Sequence, residues 1–398
     1  MVAGCSSLPA ATNSRPLGGA PVPVTTTARP VGGPSAQQLA GGRWLRIPPA
    51  PIRLCDSQAV WDGHDLVVIE PAFYACPRGA AAFDPRANSW KKIAAPPRLV
   101  GINPVIAWGG GVLMLVSHRT GAAVTWNPVT GRWHPIAPVP SPGVVSAVWT
   151  GSKFLVITAG VISSSNGTAL AFTYTGSRWT RLPDLPRPGE GRIVGAVAAA
   201  GPDAVYVLAT IDVAPTSQGG SNTDGSNNYG SVELLRLSTA SWRPVPLSQG
   251  VPQSQLMLTV VNGGILAAGS SCPALALCTL EDGTAALLRL GAHPDTIPLT
   301  PAAGVPYPYD IAAGSQAIVV TYQDGLGTPV PPGAGPVAGS SAIYDIATDK
   351  WQPGPTAPGS GSSAGTYWTP DGVVCLGQPA RTTLGSIRKI GGWLLRPR

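Results

Sequence analysis

The chain has 398 residues, enough for two ordinary domains or one large one. Only 11% of it is charged, while 50 glycines and 44 prolines are spent mostly at turns. The net charge of +7 comes from 26 basic and 19 acidic residues with no dense Lys/Arg stripe, so a nucleic-acid interface is not expected.

At the N-terminus, Val2-Ala3-Gly4-Cys5-Ser6-Ser7 resembles the end of a bacterial lipoprotein signal, which puts Cys5 in the lipidated position. The positive and apolar regions of such a signal would lie upstream of Met1. Residues 1–38, with the aperiodic stretch Pro16 to Pro34, read as a flexible Pro/Gly/Thr-rich tether. No segment approaches 18 to 20 continuously apolar residues, so contact with a membrane is expected only through the lipid. The location this implies is extracytoplasmic, as a membrane lipoprotein or a secreted protein.

From residue 39 to 398 one pattern repeats. FDPRANSW (Phe83 to Trp90), WNPVTGRW (Trp126 to Trp133), FTYTGSRW (Phe172 to Trp179), LRLSTASW (Leu235 to Trp242) and YDIATDKW (Tyr344 to Trp351) each read as strand, tight turn and strand. Short Pro-ended segments follow each tryptophan. Two further apolar runs with a Gly-containing turn precede each unit, such as Pro104 to Trp108 and Gly111 to Val116. Gly109-Gly110-Gly111 is thereby a hairpin turn and not a phosphate cradle. The long gap from Trp242 to Trp351 holds a further unit in which Leu288-Arg289-Leu290 and Thr296-Ile297-Pro298-Leu299 keep the shape without the tryptophan.

Seven units of four short strands result, near 54–94, 100–137, 143–183, 192–246, 254–299, 305–355 and 363–397. A recurrence of this length predicts an all-β, seven-bladed β-propeller of four-stranded antiparallel blades. The last unit lacks an outer strand, and the orphan segment 44–48, opening on Trp44, is expected to supply it and close the ring. The recurring tryptophans are expected to fill gaps between blades and to bind no ligand.

The pattern resembles the kelch-repeat family and the galactose-oxidase-like propellers, with Phe83-Asp84-Pro85 leading to Trp90 as the best match. That resemblance raises a copper site of two histidines, two tyrosines and a cysteine. The four histidines, His64, His118, His134 and His293, fall in different repeats, so no metal, cofactor or catalytic set is expected.

Among the cysteines, Cys55, just before the first strand of the first unit, and Cys76, in its second-to-third-strand loop, emerge on one face, while Cys272 and Cys278 share one loop; both pairs are expected to form disulfides, in keeping with export. Cys375 falls in an inner strand and reads as a small buried hydrophobe. The long insertions at Gly219 to Gly230 and Asp324 to Ser340 lie in second-to-third-strand connections, which share one face with the connections between blades. On that face Arg98, His118, Arg119, Glu190, Arg192 and Tyr229 are the candidate ligand contacts. The function expected is non-catalytic binding or scaffolding, by a monomer, of a protein or a cell-wall carbohydrate polymer. The alternative is a carbohydrate-active hydrolase or lyase on the same face, with Glu190 and His118 as its acid and base.

Overall fold

The computed structural model describes residues 32–54, 57–71, 77–101, 104–159, 169–186, 192–212, 229–238, 241–247, 254–270, 283–290, 295–299, 308–322, 341–355, 363–377 and 391–398. They form seven separate four-stranded antiparallel sheets, which are the seven blades the repeat predicts. Strands are lettered a to d from the axis outward. Blade 1 comprises Gln58–Trp61, Leu66–Glu70, Gly79–Asp84 and Ser89–Ile93. Blade 2 comprises Pro104–Gly109, Val112–Ser117, Ala123–Asn127 and Arg132–Ile136, and blade 3 Val144–Trp149, Phe154–Thr158, Leu170–Thr175 and Arg178–Arg181. Blade 4 follows with Arg192–Ala200, Val205–Asp212, Tyr229–Ser238 and Ser241–Val245. Blade 5 is Ser254–Val261, Gly264–Ser270, Gly283–Arg289 and Asp295–Pro298, and blade 6 Pro308–Ala313, Ala317–Tyr322, Ser341–Asp345 and Lys350–Pro353.

Blade 7 closes the ring. Its strands a to c are Ser363–Thr369, Gly372–Gly377 and Gly392–Arg396, and its strand d is Arg43–Arg46 from the other end of the chain. Trp44 lies opposite Leu395 and Leu45 opposite Leu394. Ile47 still donates its N–H to Gly392 O at 3.1 Å, but Pro48 has no N–H to offer and the ladder stops.

Each blade is apolar on both faces, so a strand b such as Leu66–Glu70 is buried along its whole length. The core is accordingly divided into seven clusters, each formed by two consecutive blades. Val67 and Ile69 meet Leu113 and Leu115 between blades 1 and 2, and Trp61 and Phe83 meet Tyr367 and Leu394 between blades 7 and 1. Near the axis the wedge is narrow, and the a strands carry buried Ala59, Ala107, Ala147, Ala198 and Ala312.

Far from the axis the tryptophans close the gaps by a repeated hydrogen bond. Trp90, Trp133, Trp179, Trp242 and Trp44 donate their indole N–H to the carbonyls of Pro48, Ala94, Ala137, Pro183 and Pro355 at 2.7 to 3.0 Å. Every acceptor lies just past strand d of the preceding blade, four residues beyond its tryptophan: Pro48 follows Trp44, Ala94 follows Trp90, and Pro355 follows Trp351. In blade 5, Thr296 occupies the tryptophan position opposite Leu288.

Equal spacing in the sequence conceals two hairpin registers. In blades 1, 2 and 6, Trp90, Trp133 and Trp351 face Phe83, Trp126 and Tyr344. There Asp84, Asn127 and Asp345 each accept two N–H groups of their own turn through Oδ1, and Asn88, Gly131 and Asp349 follow with φ of 50°, 67° and 54°. In blades 3 and 4 the turn is two residues shorter, and Tyr174 and Leu237, rather than Phe172 and Leu235, oppose Trp179 and Trp242.

A short helix, Ala36–Ala40, is an element absent from the sequence expectation. Ser35 and Gln38 form its capping box, and Ala36 and Leu39 are buried against Ala317, Val319, Ile343, Trp368 and Leu395. Arg398 N donates to Gln38 O at 3.1 Å, so the described parts of both chain ends meet over the joint between blades 6 and 7.

Candidate functional site

Antiparallel order sends the a–b and c–d connections to one end of the ring and the b–c and d–a connections to the other. The first end, the turn face, is made of tight hairpins. Gly110 and Gly111 form one of them with φ of 59° and 75°, which only glycine adopts readily, as expected for a hairpin turn. Most charges here are committed within or between blades. Arg86 Nε donates to Asp371 of blade 7 at 3.0 Å, Arg236 to Asp203 at 2.5 Å, and Arg289 reaches both Asp349 and the Ile346 carbonyl of blade 6. Arg396 reaches the Pro85 carbonyl of blade 1 in the same manner.

Two features of the turn face invite a ligand and resolve into structure. His64, Asp65 and Asp84 offer ligand atoms within 4.8 Å of one another. His64 Nδ1 is bonded to Asp65 Oδ1 at 2.8 Å, and Asp84 Oδ1 holds its own hairpin, so these groups already have partners. The Asp65 bond and charge raise the imidazole above its ordinary range, while burial raises the neighbouring Asp62 carboxyl against the two turn N–H groups it accepts. A cleft of about 550 Å³ lies between blades 5 and 6, lined by Ser35, Asn262, Arg289, Gln316 and Asp345. Its strongest charge, Arg289, is already spent on Asp349.

The opposite end, the loop face, holds the candidate contacts. Arg98 opens a single 3-10 turn, Arg98–Val100, between blades 1 and 2. Val100 is buried beneath it and fixes the turn, while Arg98 itself is exposed. The next residue, Gly101, has φ of 69°, and a Cβ there would stand 3.8 Å from Ser117 Oγ. Arg98 is thereby set beside the blade 2 turn that carries His118 and Arg119. His118 Nδ1 lies 2.7 Å from Val144 O, and the His118 carbonyl accepts the N–H groups of Gly143 and Val144. A carbonyl partner requires the hydrogen on Nδ1, so that nitrogen is the donor in this contact. Arg119 is exposed and makes no ion pair among the described residues.

Arg78 is the residue that sequence reasoning missed. It leads into strand c of blade 1, half-buried, with an Nε that is out of solvent and has no hydrogen-bond partner among the described residues. Burial, and then the charge of Arg98, pull its guanidinium below the ordinary range. Nearby in the same blade, Glu70 is fully buried and accepts from Ser57 Oγ at 2.7 Å. No sequence motif marks Arg78; only its nearness to Arg98 does.

Of the other candidates, Arg192 and Tyr229 begin strands a and c of blade 4 and flank Asp212 at the end of strand b, so the three share one edge. Glu190 lies outside the described residues, and its expected pairing with His118 as acid and base has no structural account. Glu233, on strand c of blade 4, is a half-buried carboxyl that burial raises above its ordinary range. Its Oε2 is buried without a partner, and no base is within hydrogen-bond reach of it among the described residues.

The expectation of disulfide bonds is corrected. No disulfide is found among the described residues, where Cys375 is the cysteine present, a half-buried thiol that accepts from Thr366 Oγ1 at 3.4 Å. Cys55, Cys76, Cys272 and Cys278 lie outside the described residues, and their places in the sequence alone do not establish a bond. Cys5 lies outside them as well, so the structure lends no support to a lipid anchor. No helix among the described residues is long and apolar enough to cross a membrane.

The described histidines are spread over the ring. His64 is in an a–b turn, His118 in a b–c turn at the opposite end, and His134 is exposed on an outer strand. No protein-family model matches the chain, and no curated protein matches it in sequence. Solved structures do match in shape. A fungal alcohol oxidase of the AA5 family, solved in complex with copper, is similar with a TM-score of 0.55 at 14% identity, over 90% of this chain and 76% of that one. A streptogramin B lyase is similar with a TM-score of 0.52 at 10% identity, over 84% of this chain and 94% of that one. At such identities the likeness extends to the fold alone: the chain is a seven-bladed β-propeller, related in shape to the galactose-oxidase-like propellers.

Proposed function

We propose that this protein is a kelch-like, non-catalytic binding or scaffold protein that works outside the cytoplasm. Its loop face engages a cell-envelope polymer or a protein. One observation carries this reading: Arg78, Arg98, His118 and Arg119 all lie on loop-face connections of blades 1 and 2, and the three arginines make no ion pair among the described residues. Long b–c insertions share the face, and long loops on a rigid ring suit recognition better than they suit packing. The Val2 to Cys5 motif ahead of a Pro-rich stretch supports the extracytoplasmic location, which cell fractionation tests.

Catalysis, the alternative, would need an acid and a base converging on one substrate. The direct experiment is a binding screen of cell-envelope glycans and envelope proteins against the full chain and an Arg98→Glu/Arg119→Glu variant. Binding that the double variant loses is expected. Turnover of any polymer in the same screen, or binding that the variant retains in full, overturns the reading.

A further inference from the structure

We propose that the outer wall of the ring at the joint of blades 7 and 1 is a docking surface for an anionic lipid membrane. The sequence leaves its cations apart, and closure of the ring gathers them. Segments 41–54, 85–94 and 391–398 hold eight basic residues and no acidic one, which leaves 18 basic against 19 acidic in the rest of the chain. The whole positive excess of the protein therefore falls in this one sector.

Register and hydrogen bonds bring the three segments together. Arg43 lies directly opposite Arg396 in the blade 7 ladder, where like charges repel. Arg396 in turn reaches the carbonyls of Pro85 and Arg86 in blade 1. Asn88 Nδ2 donates to Arg46 O at 3.3 Å, Trp90 Nε1 donates to Pro48 O at 2.9 Å, and Ile52 and Trp90 pack on the same core cluster. Along this wall Arg43, Arg46, Arg53, Lys91, Lys92 and Arg398 are exposed and make no ion pair among the described residues. Arg86 is neutralised by Asp371. The nearby acids of blade 1 are occupied: Asp62 and Asp84 close their own turns, and Asp65 holds His64. An outer strand needs some charge to guard its open edge, and blades 2 and 4 meet that need with Arg132 and Arg243. The joint carries more than such a guard requires.

Cations spread over an outer wall suit a broad anionic surface better than a single ion. The path of the chain points the same way. Gly32 O accepts from Trp368 Nε1 of blade 7 at 3.4 Å, and helix Ala36–Ala40 leads from there into Arg43. Residues 1–31 therefore join the ring beside the basic wall. A lipid chain by itself holds a protein weakly, and a basic surface next to it supplies the second contact. That role for an anchor rests on the extracytoplasmic reading above, whereas the charge stands without it. A ring lying on this wall would keep its loop face open to a partner.

Co-sedimentation of the full chain, made without a lipid, with vesicles of phosphatidylcholine alone or mixed with phosphatidylglycerol tests the charge by itself. Binding is expected only with phosphatidylglycerol, and it should fall as salt is raised. Arg43→Gln/Lys92→Gln should weaken it about tenfold or more. Arg178→Gln/Arg243→Gln, which removes two exposed cations from blades 3 and 4 on the far side of the ring, should change it less than about twofold. If the first variant melts early, Arg53→Gln/Lys91→Gln takes its place and should weaken binding as much.

No binding that depends on phosphatidylglycerol, or equal losses in the near and far variants, would overturn the docking surface. So would binding of soluble polygalacturonate through Arg43 and Lys92 without any binding of vesicles, since the partner would then be a polymer. Arg98→Glu/Arg119→Glu should leave vesicle binding intact. An envelope ligand that this loop-face variant retains would defeat the loop-face reading, while vesicle binding lost with Arg43→Gln/Lys92→Gln alone would still support the wall.

Discussion

On the turn face, Asp84, Asn127 and Asp345 each give a side-chain oxygen to their own hairpin, and Arg86, Arg236 and Arg289 each reach an aspartate. On the loop face Arg78, Arg98 and Arg119 reach none among the described residues. The same alternating strands supply both ends, so the contrast belongs to the connections. On the turn face the side-chain oxygens close the hairpins, and on the loop face even the short turn after Ser117 leaves Arg119 without an ion pair among the described residues. Substitutions on the turn face should therefore cost stability, and substitutions on the loop face should cost binding.

The largest effect is expected at Gly109, where strand a of blade 2 ends on the turn face. A Cβ there would lie 2.0 Å from Trp149 Cγ, and Trp149 is itself held edge-on by Phe154 at 4.9 Å. Gly109→Val should lower stability by about 1–3 kcal/mol through overpacking. Urea denaturation reads it directly. A loss within error would show that blades 2 and 3 can slide, and the division between structural and recognition faces would weaken.

Trp133 comes next. Trp133→Phe removes the donor to Ala94 O and should cost about 1 kcal/mol beyond the lost area. Its cross-strand partner Trp126, at a ring distance of 6.3 Å, has a buried indole N–H without a hydrogen-bond partner among the described residues. Trp126→Phe loses no hydrogen bond, and blade 1 already uses Phe83 there, so it should be milder in the same denaturation series. Equal losses from the two would show that the indole-to-carbonyl bond contributes nothing beyond packing.

These residues also show how far the sequence can be read. Trp90, Trp133 and Trp179 mark the blades because each must fill the same wide outer gap, and Trp44 reveals the closing strand for the same reason. What each indole bonds to lies in the preceding blade, 39 residues away for Trp133 and 311 for Trp44, and no local pattern reports it. The spacing of seven before Trp179 and Trp242 misleads, because turn length and strand length change together and leave the count intact. Helix Ala36–Ala40 is too short to show a period. At the candidate site, Arg98, His118 and Arg119 were legible as loop residues on one face. Arg78 was not, since its meaning depends on the charge of Arg98 and on an acceptor that the fold withholds.

Tyr344 offers a titration of the turn face. Its hydroxyl donates to Asp349 Oδ1 at 2.8 Å, and burial, reinforced by that bond and by the Asp349 charge, pushes its pKa from 10.0 to about 12. The neutral phenol is the form the fold prefers. Its contribution to stability is complete below pH 10 and is lost as pH rises through about 12. The stability gap between the protein and Tyr344→Phe should thus narrow across that window. A gap that stays constant would place the phenol outside the network of Asp349 and Arg289.

The smallest effect is expected where the loop face is most exposed. Arg98→Ala and Arg119→Ala should each shift stability by less than about 0.5 kcal/mol, as for surface groups that support no neighbour. Arg98→Ala tests this most sharply, because removing it also relieves the repulsion on Arg78. If the loop face is shaped for a ligand, the unliganded ring should be no less stable without Arg98, and any loss should appear only when ligand is present. A clear loss in the ligand-free protein would make Arg98 a structural residue like Arg86, and the two faces would no longer differ in kind.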